Sequence, residues 1–339
     1  MSRFLSLRLQ LQRISHGIMT VTAALVLAGM TSCAFGDEDA VLSLLESEET
    51  ILYVAVGQTG LYVSENGSLW SPNLVSLSGM MNNGDVAYGN GRFVAVWEGA
   101  ALNYLALSGD GIVWLGPMYI PTWDQQHFVS YFNSRFFIDI NKIIHASEDG
   151  LVWYPVAPVV QKIPIMTAGT SRVVAIANDW PNAKSYTSLD GIVWLGPFNL
   201  PKPLNPAPPP KMAYGGGLFI LTGSGEVAVS PDGIVWSLVS IPDAFGLTAI
   251  AYGNGRFVMS DGQYWYVSPN GLVWAKTAST DSYTFYDTVY CGGRFVAVGW
   301  NGADAKVMVS TDGLFWQMHS MPASNQVMSI TCRPGTKRY

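Results

Sequence analysis

A seven-residue segment, Ser-x-Asp/Asn-Gly-x-x-Trp, recurs seven times in this chain of 339 residues, and it constrains the fold more than any other feature. Its serines are Ser64, Ser108, Ser147, Ser188, Ser230, Ser268 and Ser310. Its tryptophans are Trp70, Trp114, Trp153, Trp194, Trp236, Trp274 and Trp316. Successive tryptophans lie 44, 39, 41, 42, 38 and 42 residues apart. A period near 41 residues is that of a four-stranded propeller blade. A second element precedes most copies. It reads Val-Ala-Tyr-Gly-Asn-Gly-Arg-Phe-Val at 86–94, and related forms occur at 251–258 and 289–296. Two apolar runs around a Gly/Asn turn signal a β-hairpin. Each repeat therefore reads as strand a, tight turn, strand b, loop, strand c, box turn, strand d.

The ends of the repeat region predict a closed ring. The stretch 51–56 is a strand b with no strand a before it, and 327–332 is a strand a with no strand b after it. Together they complete one blade, which removes exposed sheet edges. The expectation is an all-β, seven-bladed β-propeller over residues 51–339. Composition agrees. Charged residues are 12% of the chain, about half the usual share, which disfavours helical bundles and disorder. A net charge of −6 argues against a nucleic-acid partner.

The box resembles the Asp-box, or BNR repeat, of sialidase-like propellers, in a variant one residue shorter between Asp and Trp. The resemblance implies the fold but not an activity, because such boxes occur in hydrolases, lectins and assembly factors. Asn66 and Asn270 replace the aspartate in two boxes. An acceptor oxygen is thus sufficient, and Asp110, Asp149, Asp190, Asp232 and Asp312 read as turn formers and not as metal ligands or acids. The box tryptophans read as wedges between blades. Sialidases gather three arginines on a substrate carboxylate. Here Arg92, Arg135, Arg172, Arg256 and Arg294 follow the a–b turn at one repeat position, spread around the ring on the face away from the usual pocket. No Tyr/Glu pair of the sialidase kind can be placed.

Residues 1–32 read as a signal peptide. Arg3, Arg8 and Arg13 precede an uncharged apolar run from Ile18 to Met30, too short to span a bilayer. Met30-Thr31-Ser32-Cys33 resembles a bacterial lipobox, with Met30 where leucine is usual. That resemblance implies lipidation of Cys33. Ala34 at the next position, in place of aspartate, implies the outer membrane, facing the periplasm or the exterior. Residues 33–50 carry six acids and no base and read as a solvated tether. From residue 51 onward 18 acids face 15 bases, a nearly neutral domain.

Five tryptophans fall outside the boxes. Trp97, Trp180 and Trp300 are expected in b–c loops, Trp123 in a d–a loop, and Trp265 near or within strand c. Glu98, Asp124, Asp179 and, further off, Asp304 lie near the first four. Exposed tryptophan beside a carboxylate suits sugar stacking or a protein hot spot. Trp97, Glu98, Trp123, Asp124, Asp179, Trp180 and Trp300 are therefore the candidate ligand residues; packing as local lids is the alternative. The Pro-rich stretch from Pro201 to Pro210 belongs to the same face, docking a partner or simply spanning two blades. Cys291 and Cys332 are read at equivalent positions of neighbouring strands a, either bridged or as two buried thiols. His127, His145 and His319 are scattered, so neither a metal nor a cofactor is expected. The reading is a monomeric, non-catalytic envelope protein that binds a glycan or protein through its loop face. An assembly scaffold is the alternative, and a glycoside hydrolase using Glu98 and Asp124 a further one.

Overall fold

The computed structural model describes residues 50–73, 82–99, 102–120, 128–158, 165–177, 183–201, 210–280, 283–323 and 325–335. They form seven four-stranded antiparallel sheets. Blade I combines strands within 52–72 with the C-terminal strand Val327–Arg333, which pairs with Leu52–Gly57 and closes the ring. Blades II to VII follow in order at 82–120, 130–158, 165–199, 212–240, 249–279 and 284–320. The inner strands are Val327–Arg333, Asn82–Gly89, Ser130–Phe132, Ile165–Ala168, Met212–Gly215, Ala249–Gly253 and Thr284–Cys291. Each neighbours the next around the ring, so they line the central channel.

The box hydrogen bonds explain why this sequence makes this turn. In blade IV the Ser188 hydroxyl accepts from Gly191 N–H at 2.8 Å and donates to Asp190 Oδ1 at 3.0 Å. Asp190 Oδ1 accepts from the N–H groups of Val193 and Ile192, both at 2.8 Å. Asn66 Oδ1 does the same for Leu69 and Ser68 at 2.9 Å. Those backbone donors hold the Asp190 carboxyl below its usual range, and the same pair of contacts does so for Asp149 and Asp312. The box glycine is required twice over. Gly233 has φ +72, and a Cβ there would stand 2.4 Å from Val174 of blade IV.

Box tryptophans join blades. Trp114 packs with Leu52, Val54 and Val56 of blade I, and Trp236 with Val174 and Ile176 of blade IV. The Trp114 Nε1–H donates to Gly111 O of its own box at 3.0 Å. Trp236 departs from this. Its Nε1–H donates to Ser185 Oγ of the preceding blade, which itself donates to Gly233 O. The a–b turn arginines add ties on the same face. Arg92, Arg172 and Arg294 donate to the box carbonyls of Asp149, Asp232 and Asn66 in the following blade, at 2.8–3.0 Å.

Cys291 and Cys332 form a disulfide. The expectation that they are equivalent is corrected by one residue. Cys291 pairs with Arg294, whereas Cys332 pairs with Tyr53, so Cys332 corresponds to Tyr290. At three other junctions the two positions hold Gly and Tyr of successive blades. Tyr131 covers Gly89, Tyr252 covers Gly215 and Tyr290 covers Gly253 so closely that no Cβ fits. Between blades VII and I the disulfide takes the place of that stacked contact. Beside it Tyr53 Oη donates to Cys291 O at 2.7 Å, and burial pushes the phenol up to about 12.

Candidate functional site

One end of the ring carries the a–b and c–d turns, and the other carries the b–c and d–a connections. The sequence places its ligand candidates at the second end. Of these, Trp123, Asp124, Asp179 and Trp180 lie outside the described residues, as do Cys33, the rest of the tether up to residue 49, and 202–209.

Trp97 corrects the sequence expectation. It lies inside strand Arg92–Glu98, not in a loop, and has no exposed surface. Its ring stacks on Tyr104 with centroids 5.8 Å apart, within the apolar layer between blades I and II. A ring without exposed area cannot stack on a ligand, so Trp97 belongs to the core. Trp265 is equally buried, stacked on Trp316 at 3.9 Å. Glu98 ends the Trp97 strand and is only partly exposed. Trp300 likewise corrects the loop expectation: it ends strand Arg294–Trp300, paired with Thr284 and Ala305 and half-buried against the core of blades VII and I.

Around Trp300 the loop end of blade VII is tightly hydrogen-bonded. Tyr283 Oη donates to Asp304 Oδ1 at 2.9 Å, and Lys306 Nζ meets Asp304 Oδ2 at 2.8 Å. Lys306 and Tyr283 hold the Asp304 carboxyl below its usual range. Gly262 of blade VI lies against Thr284, the cross-strand partner of Trp300. In the same b–c loop Asp261 Oδ1 accepts from Gln263 and Tyr264 N–H, and its Oδ2 accepts from Tyr266 Oη at 2.8 Å. Tyr266 Oη also lies 3.4 Å from Asp243 O in the d–a loop of blades V and VI, where Phe245 is 65% exposed. Gly262, Gln263, Tyr264 and Ser279 line a concavity of about 370 Å³, with the Lys276 ammonium 3.8 Å over the Tyr264 ring. Phe245, exposed, and Tyr264 and Trp300, each partly exposed, thus lie across three blades, with the half-exposed Asp304 carboxylate held in a fixed orientation and Asp261 buried beneath the loop.

A second polar group sits in the channel, near the loop end of the inner strands. Asp85, Lys211, Asp287 and Ser329 occupy one repeat position, where other blades have Phe128, Ile165 and Ala249. Ser329 Oγ lies 2.6 Å from Asp85 Oδ1 and 3.1 Å from Asp287 Oδ2. Asp85 also accepts from Val86 and Val129 N–H, and Asp287 from Thr288 and Ile330 N–H. Lys211 Nζ approaches Asp287 Oδ1 at 3.6 Å, reaching past the blade that carries the small Ala249. Burial pushes the Asp85 carboxyl above its usual range, against the pull of Lys211. Every carboxylate oxygen here has a donor, so the group stitches inner strands together. The signal was present in the sequence: four polar residues at one register of an otherwise apolar strand.

The turn end has its own pattern. The residue before each box tryptophan is Leu69, Val113, Val152, Val193, Val235, Val273 or Phe315. All seven are exposed, from 64% at Val193 to 80% at Phe315.

No protein-family model matches this sequence, and no curated protein matches it. Solved structures do. Virginiamycin B lyase from Staphylococcus aureus aligns with TM-score 0.58 at 11% identity, covering 70% of this chain and 84% of the lyase. A quinonprotein alcohol dehydrogenase-like protein from Bacteroides thetaiotaomicron aligns with TM-score 0.57 at 10% identity, covering 84% of this chain and 79% of that one. YCF48 from Cyanidioschyzon merolae aligns with TM-score 0.53 at 14% identity, covering 78% and 95%. At such identities the likeness is one of fold alone, and these propellers carry different names and roles.

Proposed function

We propose that this chain is a lipid-anchored envelope protein of the Asp-box, sialidase-like kind that binds a glycan, or failing that a protein, without catalysis. The observation that carries the reading is the aromatic and carboxylate surface at the loop ends of blades V to VII. Phe245, Tyr264 and Trp300 offer ring faces to C–H surfaces. Asp304, half-exposed and held by Tyr283 and Lys306, presents its carboxylate in a set direction, while the buried Asp261 fixes the loop that carries Tyr264. Preset acceptors beside aromatic rings bind with little ordering cost. The Cys33 motif and the acidic tether support the anchor and the envelope address.

A glycan array probed with the purified full chain tests the reading. Tyr264→Ala and Trp300→Ala should each weaken binding about tenfold or more, equivalent to at least 1.4 kcal/mol. Binding unchanged in both variants would remove this surface from the account. Capture of an envelope protein without glycan binding would favour the protein ligand. Glycan turnover abolished by Glu98→Gln would replace the binding reading with a hydrolase.

A further inference from the structure

The apolar residue before each box tryptophan has no role in the turn that requires its side chain. Its contribution is a backbone N–H, donated to the box Asp or Asn Oδ1, and any residue supplies that. Exposed turns ordinarily favour polar residues. Here all seven copies carry an aliphatic or phenyl side chain, largely in solvent. The residue preceding it adds exposed apolar area at Ile112, Leu151 and Leu272. The repeat therefore builds a crown of apolar side chains around one end of the ring. Apolar patches of that extent mark interaction surfaces.

The path of the chain shows what this end faces. The first strand of the ring is a strand b, so the chain enters at the a–b turn end, the end that carries the crown. Ile51 confirms the location, because its side chain lies against Gly292 of the a–b turn in blade VII. Residues 33–50 lead to that point from Cys33. At about 3.3–3.6 Å per residue the chain from Cys33 to the ring reaches roughly 60 Å at most, and it joins the ring at this end, so an anchor at Cys33 draws this end and not the loop end towards the bilayer. Tethering also makes crown insertion an intramolecular event, favoured by high effective concentration. Charges on this end interleave: Arg92 and Arg172 stand beside the box acids Asp149 and Asp232 of neighbouring blades, and Arg294 beside the uncharged Asn66. Attraction to anionic lipid is thus not the driving force.

We infer that the crown is a membrane-docking surface, inserting apolar side chains into the bilayer interface and holding the loop end away from the membrane. The inference rests on the proposed anchor for its proximity argument, and the test separates the two. The full chain carrying Val113→Cys, Val235→Cys or, at the loop end, Gln263→Cys is labelled with an environment-sensitive fluorophore. It is then bound to phosphatidylcholine vesicles with and without doxyl-labelled lipid. Emission at Val113→Cys and Val235→Cys should shift to the blue and be quenched by doxyl lipid, with little change in 0.5 M salt. Emission at Gln263→Cys should do neither. Intact mass separately reports acylation of Cys33. An acylated chain with unquenched crown probes overturns the docking surface and leaves the anchor standing. Quenched crown probes on an unacylated chain leave the surface and remove the anchor. Intermolecular disulfides formed by the unlabelled Val113→Cys chain, with the labelled probes unquenched by lipid, identify a second copy of the chain as the occupant, and overturn the inference.

Discussion

At the scale of single residues the box is a small hydrogen-bonding device, and its chemistry makes firm predictions. Asp190→Asn keeps the acceptor that Asn66 and Asn270 supply elsewhere, so its urea midpoint at neutral pH should stay near that of the parent chain. Asp190→Ala leaves two backbone donors to water and should cost about 1 kcal/mol. Equal midpoints for the two variants would show that the acceptor does not matter. The pH dependence has a defined sign. Asp149, Asp190 and Asp312 have folded-state values below the ordinary one, so their contribution is complete above about pH 4. It drains away as pH falls through the lowered values. Asp85 works the other way, because its raised value favours the fold as pH falls towards the ordinary range. Since the box carboxylates are repeated and Asp85 is single, melting temperature should decline below about pH 4, and a flat profile down to pH 2 would contradict the assignment. Trp236→Ala removes an inter-blade wedge and should cost about 3–5 kcal/mol by chemical denaturation.

At the scale of strands the informative place is the seam between blades VII and I. Four ties meet there: the disulfide, the Tyr53 hydroxyl on Cys291 O, Arg294 on Asn66 O, and Asp287 on Ser329 and Ile330. The 41-residue separation of the cysteines implies about 4 kcal/mol of unfolded-state restriction, so denaturant midpoints with and without reductant should differ clearly. Ser329→Ala removes the hydroxyl between two carboxylates and should cost about 2 kcal/mol, more at neutral pH than at pH 4. Strand order and pairing were legible from the two repeated turns. The register of the last strand was not. The last strand has no a–b turn of its own to fix its register, so the sequence does not show that Cys291 and Cys332 replace a Gly–Tyr contact. The position of Trp97 is hidden for a similar reason: a tryptophan near the end of a strand is told from a loop residue only by its cross-strand partner, Tyr104.

At the scale of the molecule, seven boxes and a split first blade were enough to give the ring, because blade number and closure follow from counting. The ligand surface does not follow from counting. It is made by residues that break the repeat, such as Phe245, Tyr264 and Tyr283, and their proximity depends on which loops lean together across blades V to VII. The crown was visible all along in the residue before each tryptophan, but exposure, not sequence, separates it from core. The closure has a further consequence. Leu52 and Arg333 are paired across neighbouring strands of one sheet, so the points where the chain enters and leaves the ring are adjacent. A short linker joining them would leave every sheet complete, and a cut at another a–b turn, such as Asn254-Gly255, would give a circular permutant with the same seven blades. Topologically the seam can therefore sit between any two strands of a hairpin. Chemically it is marked once, by the pair Cys291 and Cys332, and a permutant opened in blade VI would keep that cross-link as an ordinary internal bridge between uninterrupted blades.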